Sequence, residues 1–169
     1  MVSVEKGKTY RIRLAVESER EFIDWLNYDS FRVAFQLQET ISDDEAYKKY
    51  RKIEDEDPIN PFDENHIVFI AENEDEKAGL IWLAKRAPFY VFKEPLVWIY
   101  NINVKEGHRG TGLSRILLEK AEEWTAESGY NQIGLHVIEQ NKIARILYEH
   151  RGYEQIAQHN SSCFYLKRL

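Results

Sequence analysis

The stretch HRGTGLS, residues 108–114, carries two glycines two positions apart with an arginine in front of them. The run LVWIYNINV, residues 96–104, precedes it and is rich in β-branched and aromatic residues, which predicts a strand. After it, apolar residues recur at helical spacing at Leu113, Ile116, Leu117, Ala121 and Trp124. Glycines between a strand and a helix let main-chain N–H groups converge beside the positive end of the helix. The stretch therefore predicts an α/β protein that binds phosphate.

Two nucleotide-binding motifs fit this turn poorly. A dinucleotide fingerprint needs a third glycine so that helix and strand pack closely, and Arg115 occupies that position. A P-loop needs a lysine after its last glycine, and Leu113 follows Gly112. A P-loop protein is therefore a disfavoured rival. A pyrophosphate held by main-chain amides, with Arg109 along it, fits better, and coenzyme A carries such a group.

Two segments resemble motifs of the GNAT superfamily of acyl-CoA-dependent N-acetyltransferases. The first is VKEGHRGTGLSRILLEKAEEW, residues 104–124, in which Arg109, Gly112 and Ser114 match the acyl-CoA signature, with serine as the last small residue. The second is NKIARILYEHRGY, residues 141–153, at the separation that the family shows. The resemblance covers residues 66–169, whereas the N-terminal third matches in its order of elements.

The resemblance implies one GNAT domain over residues 1–169, with a mixed, mostly antiparallel central sheet and helices on both faces. Capping boxes at Ser18 and Ser42 predict helices to about Asn27 and about Glu56. The predicted strands are 8–14, 67–71, 78–84, 96–104, 132–138, 153–157 and 163–167, and the other predicted helices run from 113 to before Gly129 and from 142 to about 150.

The resemblance also implies that acetyl-CoA lies where strand 96–104 diverges from strand 132–138. Main-chain groups of Ile102, Asn103 and Val104 would bind the pantetheine arm as an added strand would. The remaining predicted cofactor contacts are Arg109, Gly110, Thr111, Gly112, Leu113, Ser114 and Asn141. Simpler interpretations stay open for two of them, since an arginine on a loop is often only exposed and an asparagine before a helix is often only its N-cap.

Two residues are candidates for proton transfer. Tyr148 occupies the position at which the family's tyrosine faces the cofactor sulfur, and a phenol there can protonate the leaving thiolate. His136 stands five residues before Asn141, where the resemblance places a catalytic base, and histidine titrates in the useful range. A structural histidine is equally compatible with the sequence. Asn101 and Asn103 could then hold a catalytic water, and Glu139 is a further candidate.

The composition of the sequence argues against several classes of protein. The 169 residues carry a formal net charge of −6, which argues against a nucleic-acid-binding protein. One cysteine, no signal-peptide pattern and no long apolar run predict a cytoplasmic protein without a membrane span. The cysteine and histidines do not have the spacing that is typical of a metal site, so the sequence predicts no bound metal. Residues 39–64 hold ten acids and four bases, which would attract a cationic acceptor, although such a run is often just a solvated helix face.

The sequence thus predicts an N-acetyltransferase that moves the acetyl group of acetyl-CoA to an amine by direct attack in a ternary complex. The alternative is a non-catalytic acyl-CoA-binding sensor or interaction module, which would need no proton donor. The acceptor (a protein N-terminus, a lysine or a small amine), the acyl chain and the oligomeric state, a homodimer included, stay open.

Overall fold

A central sheet with helices on both faces organises the chain in a computed structural model, which describes residues 2–3 and 8–169 except the side chains of residues 2, 3 and 38. The described elements are β1 (Val2–Ser3), β2 (Thr9–Leu14), α1 (Arg20–Gln38), α2 (Asp43–Glu56), β3 (His66–Asn73), β4 (Glu76–Arg86), β5 (Leu96–Val104), α3 (Leu113–Glu127), β6 (Gln132–Ile138), α4 (Lys142–His150), β7 (Glu154–His159) and β8 (Ser162–Arg168).

The strand order is β1-β2-β3-β4-β5-β6-β8-β7. Neighbouring strands are antiparallel except β5 and β6, which run parallel because α3 connects them. This confirms the predicted mixed, mostly antiparallel sheet. The strand between residues 96 and 104, the strand between 132 and 138 and the helix between 142 and 150 have the predicted bounds, whereas β3 and β4 are longer than predicted.

Each sheet face buries its own apolar cluster. Ile23 and Leu26 of α1 pack against one face, on side chains of β3 and β4 that include Trp82. On the opposite face, α3 and α4 cover a larger cluster that includes Leu117 and Tyr148. The alternation of side chains along each strand assigns successive residues to these two layers.

The predicted start and end of α1 are wrong. Ser18 does not cap the helix, because it lies in a short 3-10 turn, Glu17–Glu19, that precedes α1. The Glu19 carboxylate instead closes the 3-10 turn by accepting a hydrogen bond from the Val16 N–H at 2.9 Å, and no described side chain caps the start of α1. The helix also continues past Asn27 to Gln38.

Aromatic packing explains this extension of α1. Tyr28 and Phe31 each contact Tyr50 of α2, with ring centroids 5.5 Å apart. The two helices therefore stabilise each other beyond the sheet edge. The capping box of α2 is confirmed, since Ser42 N–H donates to Glu45 Oε2 at 3.1 Å and Glu45 N–H donates to Ser42 Oγ at 3.2 Å.

An ion network ties β2 and β3 to the start of α1. Arg13 Nη2 lies 2.6 Å from Glu19 Oε1 and 2.5 Å from Glu72 Oε1. Arg11 Nη2 lies 2.7 Å from the second Glu72 oxygen. Hydrogen bonds from Arg13 and then Arg11 lower the pKa of Glu72 to about 2, although its burial opposes this shift.

Candidate active site

Strands β5 and β6 separate after two residue pairs. Within the described chain they pair at Val97–Ile133 and Trp98–Gly134. Beyond these pairs, β5 continues along β4 and β6 continues along β8. The two strands therefore leave a cleft between them, at the place that the sequence predicted.

A β-bulge in β5 accounts for this separation. Ile99 pairs with Leu83 and Asn101 pairs with Trp82, so Tyr100 is an extra residue without a partner in β4. A bulge bends the strand that contains it. The bend follows directly after the last contact with β6, and the second half of β5 therefore turns one edge of its main chain toward the cleft.

The three residues predicted to contact pantetheine lie on this bent half. Ile102 packs partly against the large core cluster. Asn103 Nδ2 donates to the Leu26 carbonyl of α1 at 2.6 Å. The Val104 carbonyl accepts from Arg109 Nε at 3.0 Å. Their contact with a cofactor stays a prediction. The side chains of Ile102 and Asn103 are held by the protein, whereas the Val104 carbonyl is occupied by Arg109.

The turn between β5 and α3 presents a row of main-chain N–H groups. Gly107, Gly110 and Gly112 adopt φ values of 92°, 72° and 82°, in the region that favours glycine. The N–H groups of residues 109–114 donate no hydrogen bond to any described residue. Because these groups precede and begin α3, the turn has the geometry of an anion site at a helix N-terminus.

A buried polar cluster supports this turn from below. His108 is 3% exposed, and its Nδ1 lies 2.9 Å from the Tyr10 hydroxyl while its Nε2 lies 3.1 Å from Glu76 Oε2. Thr111 Oγ1 donates to the His108 carbonyl at 2.5 Å. Thr111 and Leu113 are buried, so their side chains anchor the turn while its N–H groups stay outside. Sequence reasoning missed this cluster, because Tyr10 is 98 residues away from His108 along the chain.

Arg109 is more than an exposed loop residue. Its Nη2 forms an ion pair with Asp29 Oδ2 of α1 at 2.9 Å, while its Nε binds the Val104 carbonyl. Asp29 also pairs with Arg32 at 2.7 Å and would therefore keep a partner if Arg109 turned toward a phosphate. The glycine turn before α3 and helix α1 are thus connected through one arginine.

Asn141 is the N-cap of α4. Its side chain accepts a hydrogen bond from the Ala144 N–H at 3.2 Å. This confirms the structural interpretation of the residue. An additional contact to the cofactor stays a prediction.

Tyr148 is buried on the α3–α4 side of the sheet. It is 6% exposed, and its ring contacts those of Tyr153 and Tyr165, with centroids 5.9 and 6.2 Å away. Its hydroxyl makes no hydrogen bond with the described residues, unlike the Tyr165 hydroxyl, which donates to Glu149 at 2.8 Å. Burial raises the pKa of Tyr148 well above its usual value, so the phenol keeps its proton at neutral pH.

The sequence pattern predicts that Ile143 and Leu147 of α4 both pack into the sheet, and this is wrong for Ile143, whose side chain is 87% exposed. Leu147 packs partly against the core. Ile143 lies five residues before Tyr148, about 140° away around the helix. Because α4 buries Tyr148, Ile143 faces solvent.

His136 lies on the other face of the sheet. Its imidazole is exposed at one side and flanked by the rings of Trp98 and Phe164, with centroids 5.9 and 5.8 Å away. Desolvation by these neighbours lowers the pKa of His136, which favours the neutral form at pH 7. The two candidates for proton transfer are therefore not neighbours; they stand on opposite faces of the strands that border the cleft.

The other candidate groups for proton removal have different surroundings. Asn101 Nδ2 donates to Asn27 Oδ1 of α1, and Asn103 is bound to α1 as well. Both asparagines share a face, as predicted, but they join β5 to the helix. The Glu139 side chain is exposed.

A pocket of about 140 Å³ lies between α1, α2 and β4, on the same sheet face as His136. Asp24, Asn27 and Glu54 line it, with Trp82 as part of its wall. Sequence reasoning predicted an acidic acceptor side in residues 39–64, which include Glu54, but it did not predict that Glu54 shares a pocket with Asp24, Asn27 and Trp82, because these come from other elements.

The aromatic residues of two loops divide into two groups by what they contact. Phe62 lies near the pocket, with the Arg20 guanidinium 4.8 Å from its ring centroid. Phe89 and Phe92 instead pack on Trp98 and cover an edge of the core. Tyr90 contacts the Phe164 ring, with a centroid distance of 5.0 Å.

Metal and membrane features are absent from the part of the chain that the structure describes. Across residues 2–3 and 8–169, His, Cys, Asp and Glu side chains form no group of three or more that could hold a metal ion. The helices in these ranges are too short or too polar to cross a membrane.

Known proteins share this fold and sequence pattern. The family described as Acetyltransferase (GNAT) matches residues 20–153. An uncharacterized N-acetyltransferase of Bacillus subtilis, YdgE, is 29% identical over 139 residues, which are 81% of this chain and 87% of that protein.

Solved structures show the same fold at low sequence identity. The PaiA N-acetyltransferase of Thermoplasma acidophilum in complex with coenzyme A superposes with a TM-score of 0.74 at 14% identity, over 95% of this chain and 99% of that one. NAA60 of Arabidopsis thaliana in complex with a bisubstrate analogue has a TM-score of 0.66 at 17% identity, over 95% and 98%. With a family match over most of its length and this architecture, the chain belongs to the GNAT family of acetyltransferases.

Proposed function

We propose that this chain, acting as a single GNAT domain, transfers the acetyl group of acetyl-CoA to an amine by direct attack in a ternary complex. The observation that supports the proposal is the row of N–H groups at residues 109–114, which have no partner among the described residues and follow the strand that borders the cleft between β5 and β6.

The cofactor would bind mainly through the main chain. Its pyrophosphate would accept hydrogen bonds from residues 109–114, and its pantetheine arm would lie along the edge of β5 at residues 102–104. Arg109 can add charge if it exchanges Asp29 for a phosphate oxygen. This mode of binding needs neither a metal nor a P-loop lysine.

The amine would attack the thioester carbonyl, and the carbon–sulfur bond would then break to leave a thiolate. Tyr148 is the proposed general acid that protonates this sulfur. Its elevated pKa keeps the phenol protonated until the thiolate forms, and its hydroxyl has no competing partner among the described residues. Solvent would return the proton to the phenolate.

The acceptor must lose a proton before or during attack, because amines are mostly protonated at pH 7. His136 is the proposed base, acting directly or through water. Its lowered pKa keeps it neutral and able to accept a proton. Since His136 and Tyr148 lie on opposite faces of the sheet, proton removal and proton donation would occur on opposite sides of the reacting carbonyl.

Product analysis tests this function against its rival. The protein is incubated with acetyl-CoA and a panel of small amines and peptides, and the products are identified by mass. We expect acetylation of at least one class of amine, together with release of coenzyme A. Coenzyme A binding without acetylation of any amine would favour the sensor, and tight magnesium-dependent ATP binding would favour the P-loop protein.

A further inference from the structure

The pocket between α1, α2 and β4 contains a carboxylate without a counter-ion. Glu54 is half-buried and forms no hydrogen bond or ion pair with any described residue. Asp24, on the opposite wall, shares its oxygens with the Tyr50 hydroxyl at 2.7 Å and with Arg51 at 3.4 Å. Glu54 is thus the acid of this pocket that has not been neutralised.

The charges around Glu54 are mostly acidic. Burial, and then the charge of Asp24, raise the pKa of Glu54. The charges of Asp55 and Asp57 also raise this pKa, and the charge of Arg51, which lowers it, does not offset them. Arg20 also lines the pocket, but its guanidinium lies over the Phe62 ring, and it forms an exposed 3.4 Å ion pair with Glu17.

An aromatic wall completes the pocket. Trp82 is 5% exposed, and Tyr100 stacks on it with centroids 5.0 Å apart and an interplanar angle of 26°. Trp82 Nε1 donates to His66 Nδ1 at 2.9 Å, which fixes the indole plane. Because Trp82 and Glu54 both line the pocket, a cation in it would be attracted by the ring quadrupole of the indole and by the charge of the carboxylate.

The pocket is adjacent to the cleft. Trp82 of β4 pairs with Asn101 of β5, and Asn27, which lines the pocket, binds the same Asn101 side chain. Neighbouring strands are about 4.8 Å apart. A group in the pocket therefore lies about one strand width from the part of β5 that borders the cleft.

We propose that this pocket binds a second cationic group of the acceptor, an ammonium or a guanidinium, which pairs with Glu54 against Trp82 while the reacting amine reaches the cleft. The inference rests on the proposed function and names the class of its acceptor. Glu54 is then a specificity-determining residue.

Matched amines test the proposal. Acetylation by acetyl-CoA is measured for 1,4-diaminobutane and for 1-aminobutane, which lacks the second charge. We expect a kcat/KM about tenfold higher for the diamine, which is in the range of one partly desolvated charge pair. In Glu54→Gln the ratio of the two values should fall toward one, whereas Glu56→Gln, an exposed change on the same helix, should keep the parent's ratio.

A second pair of acceptors separates the two sources of such a cation. Two short peptides with a free N-terminal amine carry either lysine or norleucine at the second position. A Glu54-dependent preference for the lysine peptide would assign the pocket to peptide acceptors, and the same preference for the diamine would assign it to small amines. Equal kcat/KM values within both pairs would overturn the proposal and leave the acetyltransferase function intact.

Calorimetry covers the case in which none of these amines is acetylated. The diamine and the monoamine are titrated into the protein loaded with coenzyme A. Tighter binding of the diamine, lost in Glu54→Gln and kept in Glu56→Gln, supports the pocket even without turnover. If neither amine binds, or both bind equally well, the proposed cation pocket is overturned. The proposed acetyltransferase function is tested separately by the product analysis with the panel of amines and peptides.

Discussion

One side of the cleft is formed mainly by main-chain groups and the other mainly by side chains. On the proposed cofactor side, the turn at residues 107–114 and the bent half of β5 offer main-chain groups, while side chains such as His108 and Thr111 support them from behind. On the proposed acceptor side, α1, α2 and β4 offer side chains such as Glu54 and Trp82, while their main chains are hydrogen-bonded within helices and strands.

This difference has a consequence for sequence patterns. A main-chain site needs residues that allow a particular backbone, so its glycines occur at fixed spacing within one segment. A side-chain site needs only that suitable groups meet in space, and they can come from any element. The cofactor side should therefore lose function through single local changes, and the acceptor side should change specificity.

The largest effect is expected from Tyr148→Phe, which removes one hydroxyl from the cofactor side. Loss of a general acid costs about 10² to 10⁴ in rate. The loss should appear in kcat, measured under conditions in which chemistry is rate-limiting, while coenzyme A affinity barely changes. An acyl donor with a less basic leaving thiol should restore part of the rate.

Tyr130→Phe is the matched control for that change, because Tyr130 follows the far end of α3, whose 15 residues span about 22 Å. It should turn over like the parent. If Tyr148→Phe turns over like the parent, the Tyr148 hydroxyl is not the general acid and contributes only to packing.

The next effect concerns the main-chain site itself. Gly112→Val forces a β-branched residue into φ 82°, so the turn must change its backbone. Coenzyme A affinity, measured by calorimetry, should fall about 10²- to 10³-fold, as expected when two charge-assisted hydrogen bonds are lost. The control is Gly129→Val at the other end of α3, which has the same φ of 82° and open space around it.

Gly129→Val should lower stability without weakening coenzyme A binding. If the two variants bind coenzyme A equally well, the phosphates do not lie on the turn.

A smaller effect is expected from His136→Gln, seen mainly in the pH dependence. A base must be neutral, so kcat/KM should rise with pH through the pKa of His136, which desolvation places below the usual histidine value. The variant should lose that acidic limb and about 10²-fold in rate at neutral pH, which is the low end of what a general base contributes. An unchanged profile would assign His136 to packing between Trp98 and Phe164.

The smallest effect on turnover, but a clear one on stability, is expected from Glu72→Gln. Its folded-state pKa of about 2 lies below the ordinary 4.5, so its stabilisation is fully present above pH 4.5 and is lost as pH falls toward 2. At pH 7 the variant should lose about 1 to 3 kcal/mol of unfolding free energy.

Urea titrations at pH 7, 4 and 3 test this dependence, because the difference from the parent should shrink with falling pH. Asp75→Asn, an exposed change in the following turn, is the control. A difference that stays constant with pH would exclude the ion network as its cause.

The element bounds that the sequence predicted correctly lie mainly around the proposed cofactor side, and those that it missed lie mainly on the proposed acceptor side. The bounds of β5, β6 and α4 were predictable, because each is a run with clear periodicity between turn residues. The start of α1 was not, because Glu19 responds to Arg13 of the preceding strand, and its end was not, because Tyr28 and Phe31 rest on α2.

By itself, the sequence determined the family, the mixed sheet and the glycine turn before α3, because each follows from residues close together along the chain. Only the tertiary structure decided that Tyr148 and His136 stand on opposite faces of the sheet, that Arg109 binds Asp29, and that Glu54 meets Trp82 in one pocket. These relations depend on the bulge at Tyr100 and on the packing of α1 and α2, which bring together groups that no local pattern connects.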